Sequence, residues 1–303
     1  MPQLIKYSDN HTIDSSVLTF GNFDGIHLGH DKLIKSLITK TKEINSKSIL
    51  LTFNPHTRQV IDPNGCTSSI TPYRIKTDIL NRYNLDYIIT IDFDFEFSKI
   101  SHTVFIDKLV KKYNPKSIYI GYDNKFGYKG MGDYKFLIDH LKNKQIDIIK
   151  FPTFTHKNVL VKSSLIKNLI RNGSVDKARI YLGRYFSLYG EIIKGKGVGK
   201  TIGFPTANLK IFDDKQIIPK VGVYSVNFIV DGDIYKGVCN IGNRPTFDDH
   251  DKLTIETHIV NFKRKNVYNK SVRIEFIKYI REEKMFPHKK DLIKQIEKDV
   301  KVL

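Results

Sequence analysis

The hydrophobic pattern changes its period near Gly183, and no single sheet or bundle accommodates both halves. Before that point short, almost wholly apolar runs (17–20, 48–53, 87–91, 117–121 and 146–149) alternate with amphipathic stretches from about 28, over 72–83 and over 102–113. Apolar strands separated by helices predict a parallel sheet covered on both faces, a doubly wound α/β domain. After that point strand follows strand (186–193, 223–230, 234–241, 253–260 and 272–280), with Asp231-Gly232 as a hairpin turn, and 288–300 reads as a helix. This second pattern predicts an antiparallel β-barrel with a C-terminal helix. The expected division is 1–182 and 183–303, with a linking helix N-capped by Ser174 at the end of the first part.

A chain of 303 residues is long enough for two buried cores. Its formal charge of +18 invites a nucleic-acid reading. The lysines are scattered, however, with short pairs such as Lys111-Lys112 and Lys289-Lys290 and no long basic block. The charge therefore reads as a solvated basic surface that attracts small anions, and no nucleic-acid partner is expected. Cys66 and Cys239 belong to no metal-spacing motif and read as free thiols of a reducing compartment. With no signal peptide and no apolar window of spanning length, the expectation is a cytoplasmic protein with no membrane partner. The sequence leaves a homo-oligomer open.

The strongest local signal of the first half is Gly21-Asn22-Phe23-Asp24-Gly25-Ile26-His27-Leu28-Gly29-His30, between the first strand and the first helix. In a parallel sheet this is the carboxyl edge, where ligands bind. Glycines let the backbone approach a phosphate, and the helix start supplies unpaired N–H groups. Two histidines separated by Leu-Gly can donate hydrogen bonds to charge that develops in nucleotidyl transfer. The alternatives are a polar helix start without chemistry and a zinc site, the latter without a supporting Cys or His cluster.

In the second half Gly195, Gly197, Gly199 and Gly203 make a pliable loop with Lys196 and Lys200 interleaved, a composition suited to a triphosphate though not a P-loop by spacing. Thr206 and Asn208, set by Pro205, offer oxygen ligands of the kind magnesium takes. A glycine-rich hairpin without chemistry is the alternative.

Both motifs have a family context. The first resembles the His-x-Gly-His nucleotidyltransferases and, more narrowly, the FMN adenylyltransferase module of bacterial bifunctional riboflavin kinase/FAD synthetases. Phe53-Asn54-Pro55-His56, Gly121-Tyr122-Asp123-Asn124-Lys125-Phe126-Gly127 and Ser163-Ser164-Leu165-Ile166-Lys167 are similar to further segments of that module. Asn124 stands where an aromatic is usual and Lys167 where arginine is usual, which motivates a second reading in which the first half is a weak adenylyltransferase or a flavin/ATP-binding regulatory module. Gly203-Phe204-Pro205-Thr206-Ala207-Asn208 resembles the riboflavin kinase signature. So, in order, do Gly222-Val223-Tyr224, Asn240-Ile241-Gly242-Asn243-Arg244-Pro245-Thr246-Phe247, Glu256-Thr257-His258-Ile259 and Arg281-Glu282-Glu283-Lys284-Met285-Phe286.

The resemblance implies ATP-dependent phosphorylation of riboflavin to FMN by the second half and adenylylation of FMN to FAD by the first. It makes His27 and His30 the groups that stabilise the adenylyl transition state. Gly21, Asn22, Phe23, Asp24, Gly25, Gly29, Asp123, Ser163, Ser164 and Lys167 fall on the ATP side, and Phe53, Pro55 and His56 on the flavin side. In the kinase half it makes Glu256 the general base, with Thr206 and Asn208 on Mg2+ and Gly195, Lys196, Gly197, Gly199 and Lys200 on ATP. Gly222, Tyr224, Arg244, Arg281 and Phe286 fall to the flavin there. Partners are small molecules: riboflavin, FMN and ATP.

Overall fold

The computed structural model describes residues 1–65, 68–195, 198–244, 252–262 and 267–303, which divide into two compact units, Met1–Ser163 and Ser164–Leu303. Cys66, Lys196, Gly197 and the segment Pro245-Thr246-Phe247 lie outside the described residues, as do the side chains of Lys200 and Arg244.

The first unit runs β1 (Gln3–Lys6), β2 (Ser16–Gly21), α1 (Leu28–Glu43), β3 (Lys47–Asn54), α2 (Thr57–Ile61), α3 (Tyr73–Leu80), β4 (Tyr87–Asp92), α4 (Phe95–Ser98), α5 (His102–Tyr113), β5 (Pro115–Gly121), α6 (Tyr134–Leu141) and β6 (Asp147–Phe151). A two-residue hairpin, β7 (Thr155–His156) and β8 (Val159–Leu160), closes it. Among the described residues six strands form one parallel sheet in the order β1-β4-β3-β2-β5-β6. Alternation along the strands sends side chains to two separate cores. Leu18, Phe20, Ile49, Leu51, Ile118 and Ile120 meet α5 and α6 through Phe105, Leu109, Leu137 and Leu141. Val17, Leu50, Ile88 and Tyr119 face the other way and meet α1 and α3 through Leu33, Ile34, Leu37 and Leu80. Both faces are therefore apolar, which is why these strands read as unbroken hydrophobic runs. The expected doubly wound α/β fold is present, with β1 added at one edge, where four residues are too few to carry a strand pattern.

The second unit continues with α7 (Ser163–Arg171), whose first residue belongs to the first unit, and α8 (Val175–Leu182). Ser174 occupies the N-cap of α8 by position, without a side-chain cap bond, and Gly183 ends the helix in the left-handed conformation (φ 70°) that glycine accepts readily. Then follow β9 (Phe186–Ile193), α9 (Val198–Thr201), β10 (Thr206–Ile211), β11 (Gly222–Val230), β12 (Asp233–Arg244), β13 (Lys252–Ile259), β14 (Ser271–Arg281) and α10 (Lys289–Val300). The strands β9 to β14 close an antiparallel barrel in the order β10-β13-β12-β11-β14-β9, sealed where β9 pairs with β10. Its interior carries Leu188, Tyr224, Val226, Phe228, Ile274 and Phe276, all fully buried. The expected barrel is thus found, and the strand missing from the sequence reading is β10, short and polar at three of its six positions.

The terminal helix is held to the barrel by an ion pair. Arg281, at the end of β14, donates from Nε to both Asp299 oxygens (3.0 and 3.1 Å) and from Nη2 at 2.7 Å, while Gln295 adds a bond of 2.8 Å. The carboxylate is 3% exposed. Removing one partner of such a pair strands the other in a poorly solvated place. Asp299→Ala is expected to lower the unfolding free energy of this unit by about 2 kcal/mol in urea titrations, and an unchanged midpoint would contradict that account.

Candidate active sites

In the first unit the chain order reverses direction across the sheet between β2 and β5, which makes their carboxyl ends the switch point where a crevice opens. The segment 21–30 leaves β2 there. Phe23, Gly25 and Ile26 all have positive φ (48°, 86° and 38°), two of them without glycine's freedom, and such strain is kept only where surrounding bonds impose it. Those bonds are visible. Asn22 accepts from the Thr57 amide at 3.1 Å and donates to its hydroxyl at 2.9 Å. Asp24 Oδ1 accepts the backbone N–H groups of Ile70 and Thr71 (2.8 and 3.2 Å), and Ser163 donates to the Asp24 carbonyl at 2.9 Å.

The turn delivers the two histidines. His27 is the N-cap of α1, its Nδ1 accepting from the His30 amide at 3.4 Å, which leaves its N–H on Nε2 when the ring is neutral. The imidazoles stack, with centroids 3.7 Å apart and planes 14° from parallel, and Phe23 packs edge-on beneath His30. A methyl group at Gly29 would stand 3.2 Å from the His27 ring, so glycine here keeps the stack possible. Two imidazole edges and the start of a 16-residue helix therefore come together at the switch point.

Several expected site residues of this unit have their side chains inside the fold. Phe23 and Asp24 are buried, and Phe53 lies in the core against Phe93. His56 N-caps α2, accepting from Arg58 N, with Nε2 4.0 Å from Asp24 Oδ2; the Asn54–Pro55 peptide before it is cis. Asp123 is exposed on the turn after β5, and Asn124 donates to the Phe20 carbonyl at 2.9 Å, tying that turn to β2. Ser164 and Lys167, expected with this site, lie on the first turns of α7 and belong to the second unit.

In the second unit the site forms across three strands. Asn208 of β10 and Asn240 of β12 stand opposite Glu256 of β13 from its two sides. Thr206 Oγ1 donates to Glu256 Oε2 at 3.2 Å. The Gly195 end of the glycine-rich loop packs so closely on the Asn208 amide that any side chain there would collide with it. The Phe204 amide returns to the Gly199 carbonyl at 2.9 Å, and His258 Nδ1 donates to the Pro205 carbonyl at 3.0 Å. Loop, hydroxyl, amide and carboxylate are thus brought together. Among the described residues no group of three or more His, Cys, Asp or Glu converges as a metal cage. Thr206, Asn208 and Glu256 do supply hard oxygen donors side by side, a partial set that fits magnesium sharing its shell with phosphate and water.

The flavin-side expectations in this unit divide. Gly222 (φ 144°) is where the Tyr279 ring crosses the backbone, so closely that a side chain has no room. Tyr224 is fully buried, its hydroxyl donating to the Lys220 carbonyl, and Arg281 is engaged by Asp299. Phe286 lies under the Arg281 guanidinium, 5.9 Å from its ring centre.

One residue that the sequence reading missed is Lys76 of α3. It is buried, and its ammonium reaches Asn22, Thr52 and Phe53 at the same carboxyl edge. The available signal was its place on the apolar stripe of a helix, one turn before Leu80. Burial pushes its pKa down from 10.5 to about 8, against the opposing pull of Asp24.

An α/β unit with paired histidines at its switch point, joined in one chain to an antiparallel barrel with a Gly-rich loop and an oxygen-donor cluster, defines a two-domain transferase class. Comparison with known proteins narrows this. Residues 9–165 match the FAD synthetase family model and residues 182–303 the riboflavin kinase model. The bifunctional riboflavin kinase/FMN adenylyltransferase of Bacillus subtilis is 34% identical over 94% of this chain and 90% of its own length. That of Haemophilus influenzae is 34% identical over 98% and 97%. A Streptococcus pneumoniae crystal structure titled as a macrolide-efflux protein superposes over 99% of this chain and 98% of its own, with TM-score 0.89 and 26% identity. Its title is at odds with the curated relatives; among the described residues here, no helix is long and apolar enough to cross a membrane. The chain belongs to the bifunctional riboflavin kinase/FMN adenylyltransferase family.

The position of Asp24 can be tested by itself. Asp24→Ala leaves two buried backbone N–H groups without their acceptor and is expected to cost about 2 kcal/mol of stability. Asp24→Asn keeps the acceptor and should recover most of that loss in the same urea titration. Equal stability of all three proteins would overturn the anchoring role.

Proposed function

We propose that this chain phosphorylates riboflavin to FMN in its barrel and adenylylates FMN to FAD in its α/β unit, with modules 1–182 for adenylylation and 183–303 for phosphorylation. The observation that carries the reading is that each half builds its own cluster from segments far apart in sequence. Family membership supplies the substrates. The compartment is the cytoplasm.

In the barrel, Glu256 is the general base. It accepts the proton of the ribityl 5′-hydroxyl as that oxygen attacks the γ-phosphorus of ATP and ADP leaves. The Thr206 hydroxyl, 3.2 Å from Glu256 Oε2, keeps the carboxylate beside the donor set. Thr206 and Asn208 would hold Mg2+, which when bound neutralises phosphate charge. Gly195, Lys196, Gly197, Gly199 and Lys200 line the triphosphate, and Gly222, Arg244 and Phe286 lie on the flavin side. Tyr224 and Arg281 act there through the frame they hold.

In the α/β unit an oxygen of the FMN phosphate attacks the α-phosphorus of ATP in line, and the bond to pyrophosphate breaks. His27 and His30 donate to the phosphate oxygens on which charge builds, and the α1 N-terminus adds its dipole. Gly21, Asn22, Gly25 and Gly29 shape that pocket. Asp123 and Ser163 complete the nucleotide side, with Pro55 and His56 toward the flavin.

Product chromatography tests the assignment. Glu256→Gln should lower FMN formation from riboflavin by about 10³-fold while leaving FMN to FAD intact. His27→Ala should do the reverse, lowering FAD formation by about 10²-fold. If wild-type protein with riboflavin, ATP and magnesium yields neither flavin nucleotide, the proposal fails.

A further inference from the structure

Lys76 is 5% exposed and, among the described residues, the one lysine or arginine in the buried class. A cation without a counter-ion is costly inside a protein, and among the described residues no carboxylate lies within ion-pair distance of this one. Its ammonium is instead saturated by three neutral oxygens: Thr52 Oγ1 at 2.8 Å, the Asn22 carbonyl at 3.1 Å and the Phe53 carbonyl at 3.1 Å. An ammonium offers three donors and no acceptor, whereas the neutral amine offers two and a lone pair. The three-oxygen cradle is therefore matched to the charged form.

The oxygens belong to two different strands' ends. Asn22 opens the turn that leads to His27, and Thr52 and Phe53 end β3 on the way to Pro55 and His56. Thr52 also donates to the Asn22 carbonyl at 3.3 Å, and the Asn22 side chain holds Thr57 with two further bonds. One ammonium thus fixes the nucleotide-side turn against the flavin-side segment from below. The other titratable groups facing this cradle are Asp24 and Tyr73, whose ring centre is 5.8 Å away, with His56 behind Asp24.

Resting on the two-reaction reading above, we infer that Lys76 is a positioning residue for FMN adenylylation: it sets the spacing between the 21–27 turn and the 53–57 segment, and so the alignment of the two reacting phosphates. It touches neither substrate. Its removal should misalign groups that still bind, which lowers turnover more than affinity.

Lys76→Met keeps the length of the side chain and removes all three donors. Expected is a fall in kcat for FMN to FAD of about 100-fold, with KM for FMN and for ATP in that reaction within about threefold of wild type. Riboflavin phosphorylation by the same molecules should be unchanged, because that reaction belongs to the other unit. Thr52→Val, a milder lesion of the same cradle, should lower kcat by about tenfold, and the double variant should be no worse than Lys76→Met, because the two changes break one unit. Unchanged kcat in Lys76→Met overturns the inference. So does a Lys76→Met protein that loses the unit's fold, if Thr52→Val turns over like wild type. Failure of wild-type protein to convert FMN to FAD would instead overturn the two-reaction reading, and the inference with it.

Discussion

The pairing of β10 with β9 on one side and β13 on the other is what the second unit depends on. Without it the barrel has two open edges, each a row of unpaired backbone groups. With it the register is fixed, and the same register places Asn208 opposite Glu256 and Thr206 opposite His258. Closure of the fold and assembly of the donor cluster are one event. The strand that performs both is polar because Thr206 and Asn208 stand in that cluster beside Glu256, and for the same reason it carries no strand signature.

The first unit solves a different problem. Its sheet is covered on both faces, so polar chemistry is confined to the carboxyl edge, where strands end and their last carbonyls need partners. Lys76 supplies three donors at that edge, and its burial works against the charge. Its pKa falls from 10.5 to about 8, so the unfolded chain holds the proton more tightly than the folded one. The resulting cost to stability is present in full below about pH 8 and is relieved as pH rises from about 8 toward 10.5. The cradle makes sense as a spacer between two segments that must not drift.

Much of this was legible beforehand. The change of period near Gly183 gave both architectures, and the motifs gave the elements on which the chemistry sits. What stayed hidden has specific causes. β1 is four residues at an edge with little burial, too short for a pattern. Lys76 is one lysine in a chain whose Lys and Arg number 50, and composition drowned the anomaly of a charge on an apolar stripe. Asn124, which departs from the expected aromatic, has a place that sequence could not reveal: its amide bridges to the Phe20 carbonyl and links β5's turn to β2.

Motif residues also turn out to be of two kinds, which a linear string does not separate. His27, His30, Thr206, Asn208 and Glu256 bring polar atoms together. Phe23, Asp24, Phe53, Tyr224 and Arg281 turn their side chains into the fold, where they hold a strained turn, fill a core or clamp a helix. The second kind is found beside the first for a physical reason. A phosphate site tolerates little displacement of its donors, so the residues next to them are the ones whose packing must be rigid. Arg281 makes the point. A guanidinium in a motif that the resemblance assigns to the flavin looks like a ligand contact in sequence. In the fold its planar fork matches Asp299, and its face covers Phe286. Phe286 therefore sits beside the ion pair that docks the last helix.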